Sequence, residues 1–264
     1  DPARGPRIGG FAFIGDGSDA GTEIALITDF DGTNWTLSRG VLDTVPRAWP
    51  AGTPIWWVNP GTYITDDQTV RVAGEEVEYK LLTETSRGVL DLDDAPVLAA
   101  VLTERPHRPL RPANVKVNGS AGPTVDVASA DEIHITWATR NRLFEDGLVL
   151  AWTDGPVAPE YKQRTVIVVR QTNGAEIITY NHLWTETEFV IEKDWLARWS
   201  QVDIEVWAER DDLLSHQRAI FRITGLPGNP GAELPPPPPD PGDPPPPVEA
   251  PGASAFQVTG GAVS

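Results

Sequence analysis

The chain contains no cysteine and no methionine. Without thiols it has neither disulfides nor thiolate metal sites, so its stability rests on packing and hydrogen bonding. Positive charge is scarce as well: 21 Lys and Arg stand against 38 Asp and Glu, for a formal net charge of −17. No stretch clusters Lys and Arg. Neutralising nucleic-acid phosphates needs such a patch, so nucleic acid is not an expected partner. Acidity on this scale favours solubility. No apolar run approaches the roughly 18 residues of a membrane span. The four histidines, His107, His134, His182 and His216, are scattered with no i,i+4 pair, which gives no zinc signature. The absence of Met and the opening Asp1-Pro2-Ala3-Arg4 lead us to expect a processed product or one portion of a longer polypeptide.

What is present is apolar and β-prone. Hydrophobic residues make up 40% of 264, with ten Trp, which is ample for two modest cores. Two proline-rich shifts divide the chain. The first, Glu104–Pro112 (ERPHRPLRP), puts three prolines where each pushes its predecessor toward extended backbone. It predicts a stiff hinge over residues 106–112 between two domains. The second covers 226–252 and includes PPPPPDPGDPPPP. Proline cannot supply ladder donors, so this segment is expected to be a polyproline-II spacer, rising about 3.1 Å per residue. Residues 253–264 read as the start of a further segment or tail.

Residues 8–105 contain short runs rich in β-branched and aromatic residues: GFAFIG, EIALIT, NWTLSRGVL, TPIWWVN, QTVRVAG, EVEYKLLT and VLAAVLTE. Gly, Pro, Asn and Asp punctuate them, which predicts a small barrel or sandwich. The alternation around Ala73-Gly74-Glu75 predicts a hairpin over Gln68–Tyr79. Residues 113–225 give seven strands: 114–118, 132–138, 164–170, 176–180, 187–192, 202–210 and 218–224. Ile133, Ile135 and Trp137 share one face of the second. Seven strands in this length, with a buried Trp near the end of the second, match a fibronectin-III-like sandwich. Asp194 is a candidate cap for a short helix over Trp195–Trp199.

One stretch carries the outline of an enzyme. ALITDFDGTNWTL places Asp29 and Asp31 after an apolar run, as in the Asp-x-Asp-Gly-Thr motif of haloacid-dehalogenase-type phosphatases. That chemistry needs a nucleophilic carboxylate at the end of a parallel strand, an acid/base carboxylate two residues on, and Mg²⁺. Here the motif runs straight into Thr33, Trp35 and Leu37 alternating with polar residues, which is a second strand and not a helix. Asp31-Gly32 is therefore expected to be a type I′ hairpin turn. Asp16-Gly17-Ser18-Asp19 is oxygen-rich, but it lacks a Ca²⁺-loop pattern and reads as a solvated loop. Ser215-His216 is adjacent in sequence, which is the wrong geometry for a nucleophile–base pair, and reads as the loop before the last strand. No Gly-x-Ser-x-Gly elbow and no phosphate-binding loop occurs. No catalytic, cofactor or metal residue is predicted. Trp56-Trp57 places one indole on each face of a strand. One is expected in the core and the other at an interdomain contact or exposed to a partner.

Three stretches together, Leu37–Val58 (LSRGVLDTVPRAWPAGTPIWWV), Val77–Pro96 (VEYKLLTETSRGVLDLDDAP) and Arg105–Gly119 (RPHRPLRPANVKVNG), resemble tail-tip hub proteins of long-tailed phages and phage-like gene transfer agents. The similarity covers about residues 8 to 225, and its motifs are structural. It implies a homotrimeric virion protein at the distal end of the tail. Such a protein assembles with other tail proteins and presents elements that meet a host receptor or glycan. The competing expectation is an accessory carbohydrate-binding or fibronectin-III portion of a secreted carbohydrate-active enzyme, with exposed Trp as sugar platforms. A hydrolase using Asp29 and Asp31 is the third.

Overall fold

A computed structural model describes residues 5–18, 21–61, 71–144 and 149–234. The start of the predicted hairpin at Gln68, the proline tract from Pro235 on, residues 253–264, Asp19 and the side chain of His182 lie outside the described residues. The chain is all-β, with two short 3₁₀ turns as the helical elements among the described residues.

The first module opens with strands β1 (Phe11–Ile14), β2 (Glu23–Phe30), β3 (Trp35–Arg39) and β4 (Ile55–Val58). They form one antiparallel sheet in the order β3-β2-β1-β4. Period-two alternation sorts its side chains. Ala12, Ile14 and Ala25 pack with Leu37, Trp49 and Trp57. Phe11, Phe13, Ile24 and Leu26 pack instead with Val41 and Ala151. Because Ala151 belongs to the second module, the sheet is covered on this face by its neighbour. The barrel alternative is corrected: among the described residues the sheet is open, and the remaining strands do not close it. β5 (Glu76–Lys80) pairs with β8 (Val97–Val101), and the two-residue β6 (Glu84–Thr85) pairs with β7 (Gly88–Val89).

Two turn expectations change in detail. The β2–β3 hairpin exists, but its loop has four residues, Asp31 to Asn34, between the paired Phe30 and Trp35. The Asp31 carboxylate accepts the Thr33 and Asn34 amides at 2.8 and 2.7 Å, an Asx-type closure that replaces a type I′ turn. Phe30 and Trp35 stack across the base, ring centroids 4.2 Å apart. At Gly74 the turn is present, with the Glu75 amide on the Val72 carbonyl and a φ of 78° at Gly74. The strand that follows the turn pairs with β8, and the start of the strand expected before it lies outside the described residues.

The second module comprises β9 (Ala113–Val117), β10 (Thr124–Asp126), β11 (Glu132–Ala138), β12 (Arg164–Arg170), β13 (Glu176–Leu183), β14 (Glu188–Glu192), β15 (Gln201–Arg210), β16 (Leu213–Leu214) and β17 (Ala219–Thr224). One sheet runs β14-β11-β9 and the other β10-β17-β15-β12-β13. The first, second and fifth long strands thus share one sheet, and the third, fourth, sixth and seventh the other. This is the strand arrangement of a fibronectin-III-like sandwich. Every predicted long strand is present to within a few residues; the short β10 and β16 were not foreseen. Val115, Ile133, Ile135 and Trp137 meet Ile167, Val169, Ile204, Val206, Phe221 and Ile223 in one core. Truncating a side chain such as Trp137 here removes about 3–5 kcal/mol, because a close-packed interior collapses only partly into the hole. The β15–β16 hairpin carries the type I′ signature that Asp31-Gly32 lacks: Asp211 and Asp212 have φ of 50° and 63° between the paired Arg210 and Leu213.

The expected helix at Trp195–Trp199 is a 3₁₀ turn over Lys193–Leu196. It begins one residue before Asp194, so that carboxylate lies inside the turn, and no side chain caps it. Leu196 anchors it, fully buried in the core.

Candidate functional site

The strongest concentration of buried polar groups lies where the two modules meet. It begins with the loop after β3. Gly40, Leu42 and Asp43 all have positive φ, at 62°, 50° and 65°. For Leu42 this conformation carries a real steric penalty. It is held by the Thr44 amide on the Val41 carbonyl and by the Thr44 hydroxyl, which accepts the Ile24 amide at 2.9 Å and donates to the Val41 carbonyl at 2.8 Å.

The turn delivers the buried Asp43 carboxylate to two distant partners. One oxygen accepts the Arg111 amide at 2.6 Å, and the other accepts the His216 amide at 2.9 Å. Arg111 belongs to the interdomain segment and His216 to the loop before β17. One side chain therefore ties together the first module, the connector and the second module. Burial pushes the Asp43 carboxyl above its ordinary value, against the lowering pull of Arg111. The Arg111 guanidinium is itself buried, donates to the Gly40 carbonyl at 2.7 Å, and lies 4.5 Å over the Trp152 ring.

Further bonds cross the same junction. Gln217 accepts the Val45 amide at 2.9 Å and donates to the Thr22 carbonyl at 3.0 Å. The Trp152 amide donates to the Arg39 carbonyl at 2.9 Å. Arg105 reaches the Leu42 carbonyl and Arg108 the Leu214 carbonyl, at 3.0 and 3.1 Å. Arg210 returns to the His107 carbonyl at 2.8 Å. Arg140 braces the loop that carries Trp152 through the carbonyls of Ala151, Asp154 and Gly155. The segment expected to be a bare extended hinge thus includes a 3₁₀ turn at Arg105–His107, and its arginines clamp it to both modules.

A second buried charge closes the first module on itself. Glu23, fully buried, accepts bonds from Arg39 at 2.8 and 2.5 Å, from the Arg47 amide at 3.0 Å, and from the Trp49 indole at 2.8 Å. Those donors lie on β3 and on the loop beyond it, so Glu23 pins that loop to the sheet that presents Asp43.

Beside the junction is a cleft of about 330 Å³ lined by Phe13, Ile24, Thr44, Trp56, Arg105 and His216. Trp56 and Trp57 point to opposite faces of β4. Trp57 packs against Ala12, Ile14 and Ala25. Trp56 is 47% exposed at the cleft.

The enzyme-like residues do not assemble. β2 is antiparallel to both neighbours, so Asp29 does not stand at the end of a parallel strand. Its carboxylate accepts the Phe30 amide at 2.8 Å. Asp31 is committed to its loop, whose amides hold its carboxyl below the ordinary value. Asp16 accepts both the amide and the hydroxyl of Ser18, and its carboxyl is likewise lowered, chiefly by the hydroxyl. Among the described residues no group of three or more His, Asp or Glu is placed to hold a metal ion. Ser215 donates to the Gln217 carbonyl and accepts the Ala208 amide.

Sequence reasoning did not single out Asp43, Arg111, Gln217 or Glu23. A signal for one was available: arginine interleaved with proline across Arg105–Pro112 offers carbonyl-seeking donors on a stiffened backbone. For Asp43 and Gln217, separations of 68 to 195 residues between partners leave no local pattern to read, and for Glu23 the partners lie 16 to 26 residues on, beyond any local period.

No family model matches the chain, and no curated protein matches it. Among solved structures the chain is similar to the crystal structure of the chicken CNTN1 FN1-FN3 domains, at 11% identity and a TM-score of 0.26. The similarity covers 83% of this chain and 66% of that one. A likeness this loose carries no argument, and the fibronectin-III-like assignment rests on the strand order above.

Proposed function

We propose that this chain is a structural virion component of a phage tail tip, a hub-type element that helps build the tail end and presents host-recognition parts beyond it. The observation that carries the reading is the junction: two β modules joined through a buried carboxylate, a buried guanidinium and a proline-stiffened connector. A protein that transmits position needs such a joint, because each module then fixes the orientation of the next. The same junction is built largely from stretches that carry the family resemblance, since Asp43 lies in Leu37–Val58 and Arg111 in Arg105–Gly119. In this reading the role is mechanical and non-catalytic. The partners are further copies of the chain and other tail proteins, and the place is the distal end of the tail.

The test is immunogold electron microscopy of intact particles from the source culture, with antibody against residues 1–225. Label at the distal tail end supports the reading; unlabelled particles with soluble protein in the medium overturn it.

One observation favours a second reading, a glycan-binding module: the exposed Trp56 indole at the cleft. Trp57 is half-buried against Ala12, Ile14 and Ala25, which leaves Trp56 the more accessible of the two indoles. If Trp56→Ala leaves glycan binding by the intact chain unchanged, that reading fails.

A further inference from the structure

A groove of about 720 Å³ runs between the two modules. Arg39 and Arg47 reach it from the first module and Arg218 from the second, and none of its described lining residues is acidic. In a chain with 38 acidic and 21 basic residues, this reverses the character of the average surface. Arg39 and Arg218 each bond a carboxylate less exposed than themselves, Glu23 and Glu205, and their own side chains stay 42% and 51% exposed. A guanidinium carries five N–H donors, so both keep donors for a second carboxylate. Between the cations the lining is apolar, with Pro46, the buried Trp152 and the half-exposed Ile220. Arginine set among apolar side chains suits an extended acidic peptide that brings rings of its own.

The sequence supplies such a peptide. Pro235–Glu249 contains Asp240, Asp243 and Glu249 and no Lys or Arg. A polyproline-II helix has three residues per turn. Spacings of three and six residues therefore put all three carboxylates on one edge. From Pro241 to Val248 the other two edges are proline apart from Gly242 and Val248. The tract also reaches. After β17 the Gly228 and Asn229 amides bond the Trp199 and Ala197 carbonyls at 3.0 and 2.7 Å, so the chain leaves at the end of the second module opposite the connector. β17 has six residues and begins beside the groove, so the groove lies roughly 20 Å back along it. Fifteen residues of polyproline II span about 46 Å.

We infer that the groove is the docking site of the chain's own acidic proline-rich tract, Pro235–Glu249. Its carboxylate edge meets the three arginines, and its prolines rest on the apolar lining. Two features favour the tethered tract over a separate protein. The charge complementarity lies within one chain, and a tethered segment acts at millimolar effective concentration, so even weak affinity fills the groove. Proline has already given up the backbone freedom that docking would otherwise remove. Docked, the tract bridges both modules and fixes the direction in which the residues after Glu249 leave. The inference goes beyond the tail-tip reading and stands without it.

The experiment is electron–electron double resonance on the full chain. The chain has no cysteine, so Thr124→Cys, one residue from the groove lining, and Val248→Cys take the two spin labels alone. Two variants are made in this background. One neutralises the tract, Asp240→Asn with Asp243→Asn and Glu249→Gln, and leaves both modules untouched. The other alters the groove, Arg47→Glu with Ile220→Glu, and near-UV circular dichroism checks that it keeps the wild-type tryptophan environments. We expect a narrow short-distance population in the parent, its loss to a broad and longer distribution in both variants, and its displacement by an excess of free peptide of residues 233–250. A parent distribution as broad and long as that of the variants overturns the inference, and so does a short distance that survives either variant. Dilution with unlabelled chain should leave the short distance in place; its disappearance would put the tract in another copy's groove and overturn the assignment to its own.

Discussion

Replacing Asp43 tests the junction most directly. Its carboxylate serves the Arg111 and His216 amides, both in the buried region between modules. In Asp43→Ala both amides lose their acceptor. Each buried, unsatisfied N–H costs about 1–3 kcal/mol. The backbone at position 43 also has a φ of 65°, which Asp tolerates better than Ala does. Together these give a loss of about 3 kcal/mol or more. In Asp43→Asn one oxygen still accepts, the φ is still tolerated, and the cost of burying a charge disappears. That variant should lose only about 1 kcal/mol. For a chain of this size, 1 kcal/mol corresponds to roughly 2–4 °C in Tm. Thermal unfolding followed by circular dichroism should therefore show Asp43→Ala lower by on the order of 10 °C, and Asp43→Asn by a few degrees. The pH dependence adds a second readout. Burial raises the folded pKa of Asp43 above the ordinary 3.8, so protonation favours the folded state. This contribution is fully present below 3.8 and is lost as pH rises through the folded pKa. The stability of wild type relative to Asp43→Asn should accordingly increase as pH falls from neutral toward 4. If Asp43→Ala and Asp43→Asn melt together, or within about 2 °C of wild type, the carboxylate does not join the modules in the way described.

Glu23→Ala removes the acceptor of the Arg47 amide and the Trp49 indole, while the partly exposed Arg39 guanidinium keeps the Arg47 carbonyl at 2.6 Å. It should cost about 2–3 kcal/mol, measured by chemical denaturation, and a loss under about 1 kcal/mol would show that these donors find other acceptors. The Tyr180 hydroxyl is buried with no hydrogen-bond partner among the described residues, and its pKa is pushed up to about 12 by that burial. Tyr180→Phe should therefore be neutral or slightly stabilising in urea unfolding, and a loss above about 1 kcal/mol would reveal a partner. Gly225 has a φ of 78°, and a Cβ there would lie 2.2 Å from an Asp126 oxygen and 2.5 Å from the Ala128 nitrogen. Gly174 has a φ of 88° with open space around it. Gly225→Ala should cost about 3 kcal/mol and Gly174→Ala about 1, measured by chemical denaturation.

The sequence by itself determined the local content of this protein. Alternation of apolar and polar residues, broken by Gly, Pro, Asn and Asp, marked nearly every strand. It also put Ile133, Ile135 and Trp137 on one buried face and gave Trp56 and Trp57 opposite sides. These were legible because the period of a strand is fixed by the backbone and needs no distant partner. The sequence also demoted Asp29 and Asp31, since an alternating strand directly after Gly32 leaves no room for the helix a phosphatase requires.

Tertiary structure decided the rest. Whether the first sheet closes into a barrel depends on pairing between strands far apart in the chain, and so does the pairing of β5 with β8 across some twenty residues. The choice between a type I′ turn and a four-residue loop at Asp31 turned on its side chain capturing two amides, an energy difference too small for composition to reveal. The site was the least legible part. Asp43, Arg111, Gln217 and Glu23 are ordinary polar residues in sequence. They become a joint only when folding removes them from water and leaves each other as their remaining partners, and burial is a property of the whole fold.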